Sequence, residues 1–581
     1  MDEFEYLEDL NNERTKSFIE NENKKTEEKL GKRAKELYPK LLEIYKEPYV
    51  LSMFAYDGNN PVILLYGEKN QVLLGNKVIY TSPKDYVASS VWKVYNSKEI
   101  GVSIEKKGSD KITTFLISPD GKITELGEMV ESPFYFKNEL CYIKSYRYSP
   151  PPDGGEYPAD RVFCGNEIVY GKDLKPGEFV SIRTFGDFIT LIRSKGWRYS
   201  ELYAGEGFDS LKKIDEGEVI DVIDYVQGSL IYQKNDSVYL DKKKIIKSDY
   251  PILGVSSLKE TLAVEVIKDY RTPLLFYSIN GDKIGEEIHD NIQFMDSEGH
   301  SLFIVETSFN YKFKVSRRVK EKSEETIMQY GNYDVKVTDI YVKGDVLLHG
   351  FLLTKTNNSK GVIVYGYGGF RISLLPSFLM STRLLLDEGY SVLITNLRGG
   401  YENGEEWHKA GMLLNKKNVF KDFSEFLRLV KSLGGKTIAM GGSNGGLLVG
   451  ATENEYPNVI DCAVIGHPVL DMLRYDKLYV GKYWVEEYGD PNDPKYRDYL
   501  LSYSPYHNLK KGLPKTFVYT GINDDRVHPA HALKYVAKSE KLGNDVMLFV
   551  NDSGHAIADP ESEAREYSYV LAFIEECTSS K

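Results

Sequence analysis

The spacing of hydrophobic residues divides the chain into three regions, of which the first is residues 1–47. Charged positions dominate there, and apolar residues recur at three- and four-residue steps, which predicts an amphipathic helix. The apolar face of this helix consists of Leu30, Ala34, Leu37, Leu41 and Ile44. We expect the segment to pack against a larger domain.

The second region, from about residue 50 to 325, contains short runs rich in Val, Ile, Tyr and Phe. Asp-Gly, Gly-Asn, Asn-Gly and Gly-Asp turns separate these runs, of which 61–66, 111–118 and 274–279 are examples. Closely spaced strands of this kind are typical of sandwiches, barrels or propellers. At ~40 residues per four-stranded blade the region holds about seven blades. This length favours a propeller over two sandwiches, although no clean sequence repeat is visible.

Beyond about residue 330, apolar strands alternate with helical stretches. A hairpin over 334–342 and 346–353 comes first, and a helical face with Ala530, Leu533 and Ala537 lies within 529–542. The strand candidates are 361–366, 391–396, 436–440, 462–466, 515–520 and 546–551. This alternation predicts a mostly parallel sheet covered on both faces, with ligand chemistry at the carboxyl ends of the strands.

Composition restricts the classes of protein. A chain of 581 residues is too long for one hydrophobic core. The hydrophobic content of 41% and the charged content of 28% are typical of globular domains, and the net charge of -12 argues against a nucleic-acid surface. The acidic start lacks a secretory signal, and no apolar run approaches the ~20 residues that cross a bilayer. We therefore expect a cytoplasmic protein.

Cysteine and glutamine usage adds two minor indications. The four cysteines are widely scattered, without metal-ligand spacing or a disulfide framework, so we expect buried unpaired thiols. They are Cys141, Cys164, Cys462 and Cys577. The chain contains only five glutamines but many Lys and Glu residues, and such a composition is reported for proteins of hyperthermophiles.

A candidate nucleophile, Ser443, lies where the strand candidate 436–440 ends. The sequence Gly441-Gly-Ser-Asn-Gly445 matches the G-x-S-x-G elbow between a strand and a helix, although Gly/Ser clusters also occur in ordinary loops. The turn requires residues without side chains around the serine, because its backbone is strained. By the general rule for hydrolases, the backbone N–H of Asn444 would be one oxyanion donor.

Two further loops complete a catalytic constellation. Asp524 or Asp525 follows the strand 515–520, and His555 follows the strand 546–551. The chain order Ser, Asp, His is that of α/β-hydrolases. The histidine would take the serine proton and return it to the leaving group, while the aspartate would hold the imidazole ring.

The alternatives for each role can be compared. His555 could be an ordinary loop histidine, and His467, His528 and His531 compete with it, but none of these combines its position after the last strand with the right order. A second oxyanion donor is expected in Tyr365-Gly-Tyr-Gly-Gly-Phe370, directly after the strand 361–366. On spacing alone this donor could be a backbone N–H or a tyrosine hydroxyl.

At these residues the sequence resembles the prolyl oligopeptidase family of serine peptidases. The matching stretches are Tyr365-Gly-Tyr-Gly-Gly-Phe370, Asn396-Leu-Arg-Gly-Gly400, Glu406-Trp-His408, Gly441-Gly-Ser-Asn-Gly-Gly446, Asp524-Asp-Arg-Val527 and Gly554-His555. Tyr6-Leu-Glu-Asp-Leu10 and Thr15-Lys-Ser-Phe18 are similar to the helical extension of that family. The resemblance implies an α/β-hydrolase combined with a seven-bladed β-propeller.

The resemblance also assigns roles that spacing leaves open. It implies that Asp524 is the triad aspartate, that Tyr367 donates its hydroxyl to the oxyanion, and that Arg526 binds a substrate backbone carbonyl. It places a pocket for a proline ring at Phe370, Val469, Trp484, Tyr488 and Val527. Aromatic residues at such spacing are otherwise usually core residues.

The resulting interpretation is a serine endopeptidase that cleaves short peptides after proline by acylation of Ser443, with no cofactor and no metal. The expected domains are a helical extension over 1–48, a β-propeller over 49–328 and an α/β-hydrolase over 329–581. The expected partners are short proline-containing peptides, without nucleic acid or membrane, and the expected state is a monomer. The alternatives are a sister peptidase of acylaminoacyl peptidase or oligopeptidase B type, a more remote esterase, and a non-catalytic propeller scaffold.

Overall fold

A computed structural model of the chain describes residues 2–109, 111–319, 324–554 and 559–579. The chain divides into two compact units, which are described separately. The first contains Met1–Glu47, Tyr333–Leu374 and Phe378–Lys581, and the second contains Pro48–Asn332 with Leu375–Ser377.

The second unit is a seven-bladed β-propeller, which confirms the prediction from strand spacing. Its described residues form seven antiparallel sheets of four strands each. The strands are β1 Tyr49–Ala55, β2 Pro61–Tyr66, β3 Gln71–Leu74, β4 Lys77–Thr81; β5 Tyr86–Lys93, β6 Ile100–Lys106, β7 Ile112–Ile117, β8 Ile123–Glu128; β9 Val130–Phe136, β10 Glu139–Tyr146, β11 Ala159–Cys164, β12 Glu167–Tyr170; β13 Glu178–Phe185, β14 Phe188–Lys195, β15 Tyr199–Gly205, β16 Lys212–Glu218; β17 Ile220–Val226, β18 Ser229–Lys234, β19 Ser237–Leu240, β20 Lys243–Lys247; β21 Ile252–Ser257, β22 Thr261–Val266, β23 Leu274–Ser278, β24 Lys283–Glu287; β25 Asn291–Glu298, β26 Ser301–Thr307, β27 Phe313–Val319 and β28 Glu325–Tyr330.

The first and last blades close the ring without exchanging a strand, because each blade consists of consecutive strands. Strand β1 contacts β25, and apolar residues of both blades share one hydrophobic cluster. Polar contacts add to this junction: the Ala55 N–H donates to Asp296 Oδ2 at 2.7 Å, and Arg317 Nε donates to the Gly58 carbonyl at 2.8 Å. Side-chain packing and a few hydrogen bonds therefore hold the ring closed.

The first unit is an α/β-hydrolase, also as predicted. Its described residues form an eight-stranded sheet in the order β29-β30-β32-β31-β33-β34-β35-β36, antiparallel over the first three and parallel over the rest. These strands are β29 Lys336–Lys343, β30 Leu347–Thr354, β31 Val362–Tyr365, β32 Ser391–Asn396, β33 Thr437–Gly442, β34 Cys462–Gly466, β35 Lys515–Gly521 and β36 Val546–Asn551.

Helices cover both faces of this sheet. The α-helices are α1 Glu13–Tyr45, α2 Thr382–Asp387, α3 Glu405–Lys409, α4 Lys417–Ser432, α5 Asn444–Glu455, α6 Val485–Tyr488, α7 Pro494–Tyr503, α8 Ala530–Lys541 and α9 Pro560–Ser579. Short 3₁₀ helices are Glu5–Glu8, Leu413–Asn415, Pro457–Val459, Tyr475–Lys477 and Tyr479–Trp484. None of the helices within the described ranges is long and apolar enough to cross a membrane.

The amino-terminal helix α1 packs against α9 and β36 of the hydrolase unit. It buries the predicted face, except that Tyr45 rather than Ile44 is the last buried residue. Two polar side chains also bind the edge strand β36: Thr26 donates to the Leu548 carbonyl at 2.6 Å, and Asn23 Nδ2 donates to the Val550 carbonyl at 2.9 Å. Helix α1 thereby covers the free edge of the sheet.

The prediction of unpaired cysteines is wrong, because the described residues contain two disulfides. Cys141 and Cys164 are directly opposite each other on β10 and β11, with a Cα–Cα distance of 4.1 Å. Cys462 at the start of β34 pairs with Cys577 near the end of α9, 115 residues later. Linear spacing does not reveal these pairs, because strand register creates one and helix packing the other.

We predict that the two disulfides stabilise the protein unequally. In the loop-entropy estimate, a crosslink closing 115 residues contributes up to about 5 kcal/mol, and one closing 23 residues about 3 kcal/mol. Calorimetry of the variants Cys462→Ala/Cys577→Ala and Cys141→Ala/Cys164→Ala should therefore show the larger loss in the first. Equal melting profiles for wild type and both variants would contradict this account.

Candidate active site

The backbone at Ser443 has the strained geometry of a nucleophile elbow. Ser443 lies between β33 and α5 with φ 57° and ψ −117°, and its N–H donates to the Gly466 carbonyl at 2.8 Å. A Cβ on Gly441 would lie 2.3 Å from the Gly445 carbonyl oxygen, and a Cβ on Gly445 would lie 2.7 Å from that of Gly366. Both flanking positions therefore require glycine.

Two hydrogen-bond donors lie beside this serine. The Tyr367 hydroxyl is hydrogen-bonded to the side chain of Ser443, and burial raises the pKa of Tyr367, so the phenol stays protonated. Asn444 is the first residue of α5, where backbone N–H groups have no partner within the helix. A phenol and a backbone N–H next to a nucleophile are suited to binding a developing oxyanion.

A buried lysine supports the loop that carries Tyr367. Lys416 Nζ donates to the Gly368 carbonyl at 2.9 Å and to Asn444 Oδ1 at 3.2 Å. Asn444 Nδ2 donates to the Tyr367 carbonyl at 2.9 Å, and the Tyr488 hydroxyl donates to Asn444 Oδ1 at 2.7 Å. The Asn444 side chain thus connects the elbow to the oxyanion loop.

A buried glutamate holds the far end of the same loop. Glu487 Oε1 accepts the Phe370 N–H at 2.9 Å, and Oε2 lies 2.8 Å from His408 Nε2. Burial alone would lower the pKa of His408, but hydrogen bonds to Glu405 and Glu487 outweigh it and raise the pKa. Burial lowers the pKa of Lys416 to about 8, although the charge of Glu487 opposes the shift.

The two adjacent acids after β35 differ in environment. Asp524 is 1% exposed, whereas Asp525 is exposed. Asp524 Oδ1 accepts the N–H groups of Arg526 at 3.0 Å and of Val527 at 2.9 Å. Its Oδ2 lies 3.1 Å from His467 Nδ1. The side chain of Arg526 is exposed. Asp524 is therefore the fixed acid of the pair.

His555 lies outside the described residues, so its geometry is not described. The segment that leads to it begins at Asn551 of β36, which is paired with Gly521 of β35. The strand ends before His555 and before Asp524 are therefore neighbours in the sheet.

The structure brings the predicted pocket residues into one hydrophobic cluster of the hydrolase unit. They are Phe370, Val469, Trp484, Tyr488 and Val527. The Phe370 ring meets Tyr488 edge-on, with centroids 5.5 Å apart, and half-buried Trp484 stacks on Tyr475 at 6.4 Å. Tyr475 also contacts Tyr488 at 5.3 Å, so the rings form a continuous aromatic wall.

The sequence analysis assigned no role to three residues that lie at this site: Lys416, His467 and Glu487. Lys416 and Glu487 stand in charged segments that resemble solvent-exposed surface, and only packing shows them to be buried. His467 was compared only with His555 as a candidate base. Its position directly after β34 was the available signal.

One group of carboxylates in the described ranges is close enough to hold a metal ion: Asp2, Glu8 and Asp471. Lys534 Nζ lies 2.7, 3.0 and 2.6 Å from these three residues, respectively. A buried ammonium group thus already binds all three acids. This cluster fixes the amino-terminal segment to α8.

Part of the chain is similar to known proteins. The family model described as "Prolyl oligopeptidase family" matches residues 376–581. The chain is 39% identical over 246 residues to prolyl oligopeptidase ophP of Omphalotus olearius, covering 39% of this chain and 32% of the relative. It is 39% identical over 231 residues to the prolyl endopeptidase of Elizabethkingia meningoseptica, covering 38% and 33%. The match thus spans about a third of the length of these relatives.

The fold is also that of a solved structure described in a study of two prolyl endopeptidases. The two chains superpose with a TM-score of 0.87 at 21% identity, covering 100% of this chain and 97% of the other. The family model and the curated relatives confirm the resemblance expected from the sequence motifs. Residues 376–581 are therefore similar to the prolyl oligopeptidase family.

Proposed function

We propose that this chain is a serine endopeptidase that hydrolyses short peptides on the carboxyl side of proline. The observation that carries this proposal is the contact between the Tyr367 hydroxyl and Ser443, which supports Tyr367 as an oxyanion donor beside a strained elbow. The names of the relatives at 39% identity support the same substrate class.

In the proposed mechanism, His555 removes the proton from Ser443 as the hydroxyl oxygen attacks the peptide carbonyl. Tyr367 and the Asn444 N–H bind the resulting oxyanion. His555 then gives its proton to the leaving amine, and water hydrolyses the acyl-enzyme by the same steps in reverse order. Asp524 orients the imidazole and stabilises its charged form.

The aromatic wall supports proline as the residue before the scissile bond. A flat indole such as that of Trp484 stacks well on a pyrrolidine ring, and Phe370 and Val469 add apolar surface. An arginine side chain would need an acidic partner. Glu487 is not suited to this role, because His408 and the Phe370 N–H already bind its two oxygens.

We further propose that the protein acts as a monomer in the cytoplasm. Disulfides are rare in cytoplasmic proteins except in those of hyperthermophiles. The composition rich in Lys and Glu and poor in Gln agrees with such an origin.

A panel of short chromogenic peptides that differ only in the residue before the scissile bond tests the substrate class. We expect kcat/KM for Pro to exceed that for Ala and Arg by about 100-fold or more, because a filled apolar pocket and an unpaired guanidinium differ by several kcal/mol. Preference for Arg would instead indicate an oligopeptidase B type. Exclusive cleavage of N-acetylated amino acids would indicate an acylaminoacyl peptidase.

Adjacent residues provide a matched test of the triad. Asp524→Asn should lower kcat by about 10³- to 10⁴-fold, because the imidazole loses its orienting carboxylate. Asp525→Asn removes the same charge one residue away, from an exposed side chain, and should leave kcat nearly unchanged. Circular dichroism should show both variants folded. If Asp525→Asn were the damaging change, the assignment of the triad acid would be wrong.

A further inference from the structure

His467 lies in the row of strand ends that carries the proposed triad. It directly follows Gly466, which pairs with Gly442 of β33 on one side and with Tyr519 of β35 on the other. The His467 N–H donates to the Tyr519 carbonyl at 2.8 Å, and its φ is 41°. The backbone thus fixes the imidazole between the strands that precede Ser443 and Asp524.

Both ring nitrogens of His467 face carboxylates. Nδ1 lies 3.1 Å from Asp524 Oδ2, and Nε2 lies 2.5 Å from Glu566 Oε1 on α9. The two acids are 1% and 4% exposed. An ionised carboxylate only accepts hydrogen bonds, so between two ionised carboxylates the ring donates from both nitrogens as an imidazolium. With both nitrogens occupied in this way, His467 is not placed to remove the proton of Ser443.

The electrostatic surroundings agree with a charged ring. Burial alone would lower the pKa of His467, but attraction to Glu566 and the hydrogen bond to Asp524 outweigh it and raise the pKa to about 10. Tyr519 meets the ring edge-on at 5.6 Å, and burial raises its pKa, so it is neutral. Among the described residues, the other titratable groups around these three are Tyr45, Tyr365, Tyr479, Asp525, His528, Glu563 and Tyr567.

Asp524, His467 and Glu566 form a charged bridge in which the positive charge of the ring offsets one of the two negative charges. In the arrangement of two ionised acids and a protonated ring, one positive charge lies between two negative charges, so the three residues together have a net charge of −1. This is the charge that Asp524 would have alone. Without His467 two buried carboxylates would repel each other, and without Glu566 the imidazolium would cancel the charge of Asp524.

We propose that His467 is a positioning residue for the triad: it holds Asp524 Oδ2 in place, and Glu566 compensates the charge that His467 brings. This proposal rests on the proposed peptidase function. Backbone N–H groups fix one oxygen of Asp524, and His467 fixes the other. The orientation of the acid is thereby set without loss of its electrostatic effect on His555.

The pH dependence of kcat/KM on a proline peptide tests this arrangement. Its acid limb reports the pKa of the triad histidine. His467→Gln removes a positive charge and should move the limb to higher pH. Glu566→Gln removes a negative charge and should move it to lower pH, each by about half a pH unit or more. In the double variant the acid limb should return close to its wild-type position. Its kcat should nevertheless be about tenfold lower than that of the wild type, with little change in KM.

Glu561→Gln is the matched control, because it removes a carboxylate charge from an exposed position of α9 and should leave the limb in place. A purely structural role of His467 would lower activity in both variants without opposite shifts. Shifts in the same direction, or no shift in either variant, would therefore overturn the proposal.

A second measurement does not depend on catalysis. In ¹⁵N-histidine-labelled wild-type protein at pH 8, NMR should show both nitrogens of His467 protonated, with the signals assigned by their loss in His467→Gln. A single protonated nitrogen would refute the charged bridge.

The two proposals can fail separately. If the wild type cleaved no peptide but reacted with a fluorophosphonate, the proposal of a proline peptide as substrate would be wrong. The pH dependence of the labelling rate would then replace that of kcat/KM as the measure of the acid limb. If it did neither, both proposals would fail.

Discussion

The close approach of backbone segments at the elbow is the constraint on which the proposed active site depends. Gly441 and Gly445 contact each other and Gly366 at distances that leave no room for a Cβ. This packing holds Ser443 at a positive φ, the strained backbone that places its side chain beyond the end of β33. The same contact brings the loop after β31 against the start of α5. The Tyr367 hydroxyl and the Asn444 N–H therefore lie beside the nucleophile before any substrate binds, as preorganised oxyanion stabilisation requires.

Buried charges around the elbow are paired, and the pairs hold the loops that bear the functional groups. Isolated charges are costly to bury, so each such group needs a partner of opposite charge or a set of dipoles. Lys416 meets a carbonyl and an amide oxygen, Glu487 meets His408 and a backbone N–H, and His467 lies between two acids. Loss of one member would leave its buried partner uncompensated, which is costly.

The sequence predicted what local pattern controls and missed what depends on tertiary contact. Apolar runs that end in glycine or polar residues located the strands before Ser443, Asp524 and His555, because strand period and turn chemistry are local. The pairing of Cys462 with Cys577 was missed because it depends on how α9 packs on the sheet. Lys416 and Glu487 were missed for a similar reason, since neighbours distant in sequence bury them. His467 was considered only as a competitor of His555, because its two carboxylate partners come from a loop and a helix 57 and 99 residues away.

The central claim is that Ser443 is an activated nucleophile in a pocket that accepts proline. The most direct measurement is mass-spectrometric mapping of the adduct formed with a prolyl phosphonate, which imitates the acyl group and reacts only with an activated serine. We predict one adduct, on the peptide that contains Ser443, formed faster than with the corresponding alanyl reagent and blocked by a proline-containing substrate. A folded protein that forms no adduct, or that is modified at another serine, would contradict the account.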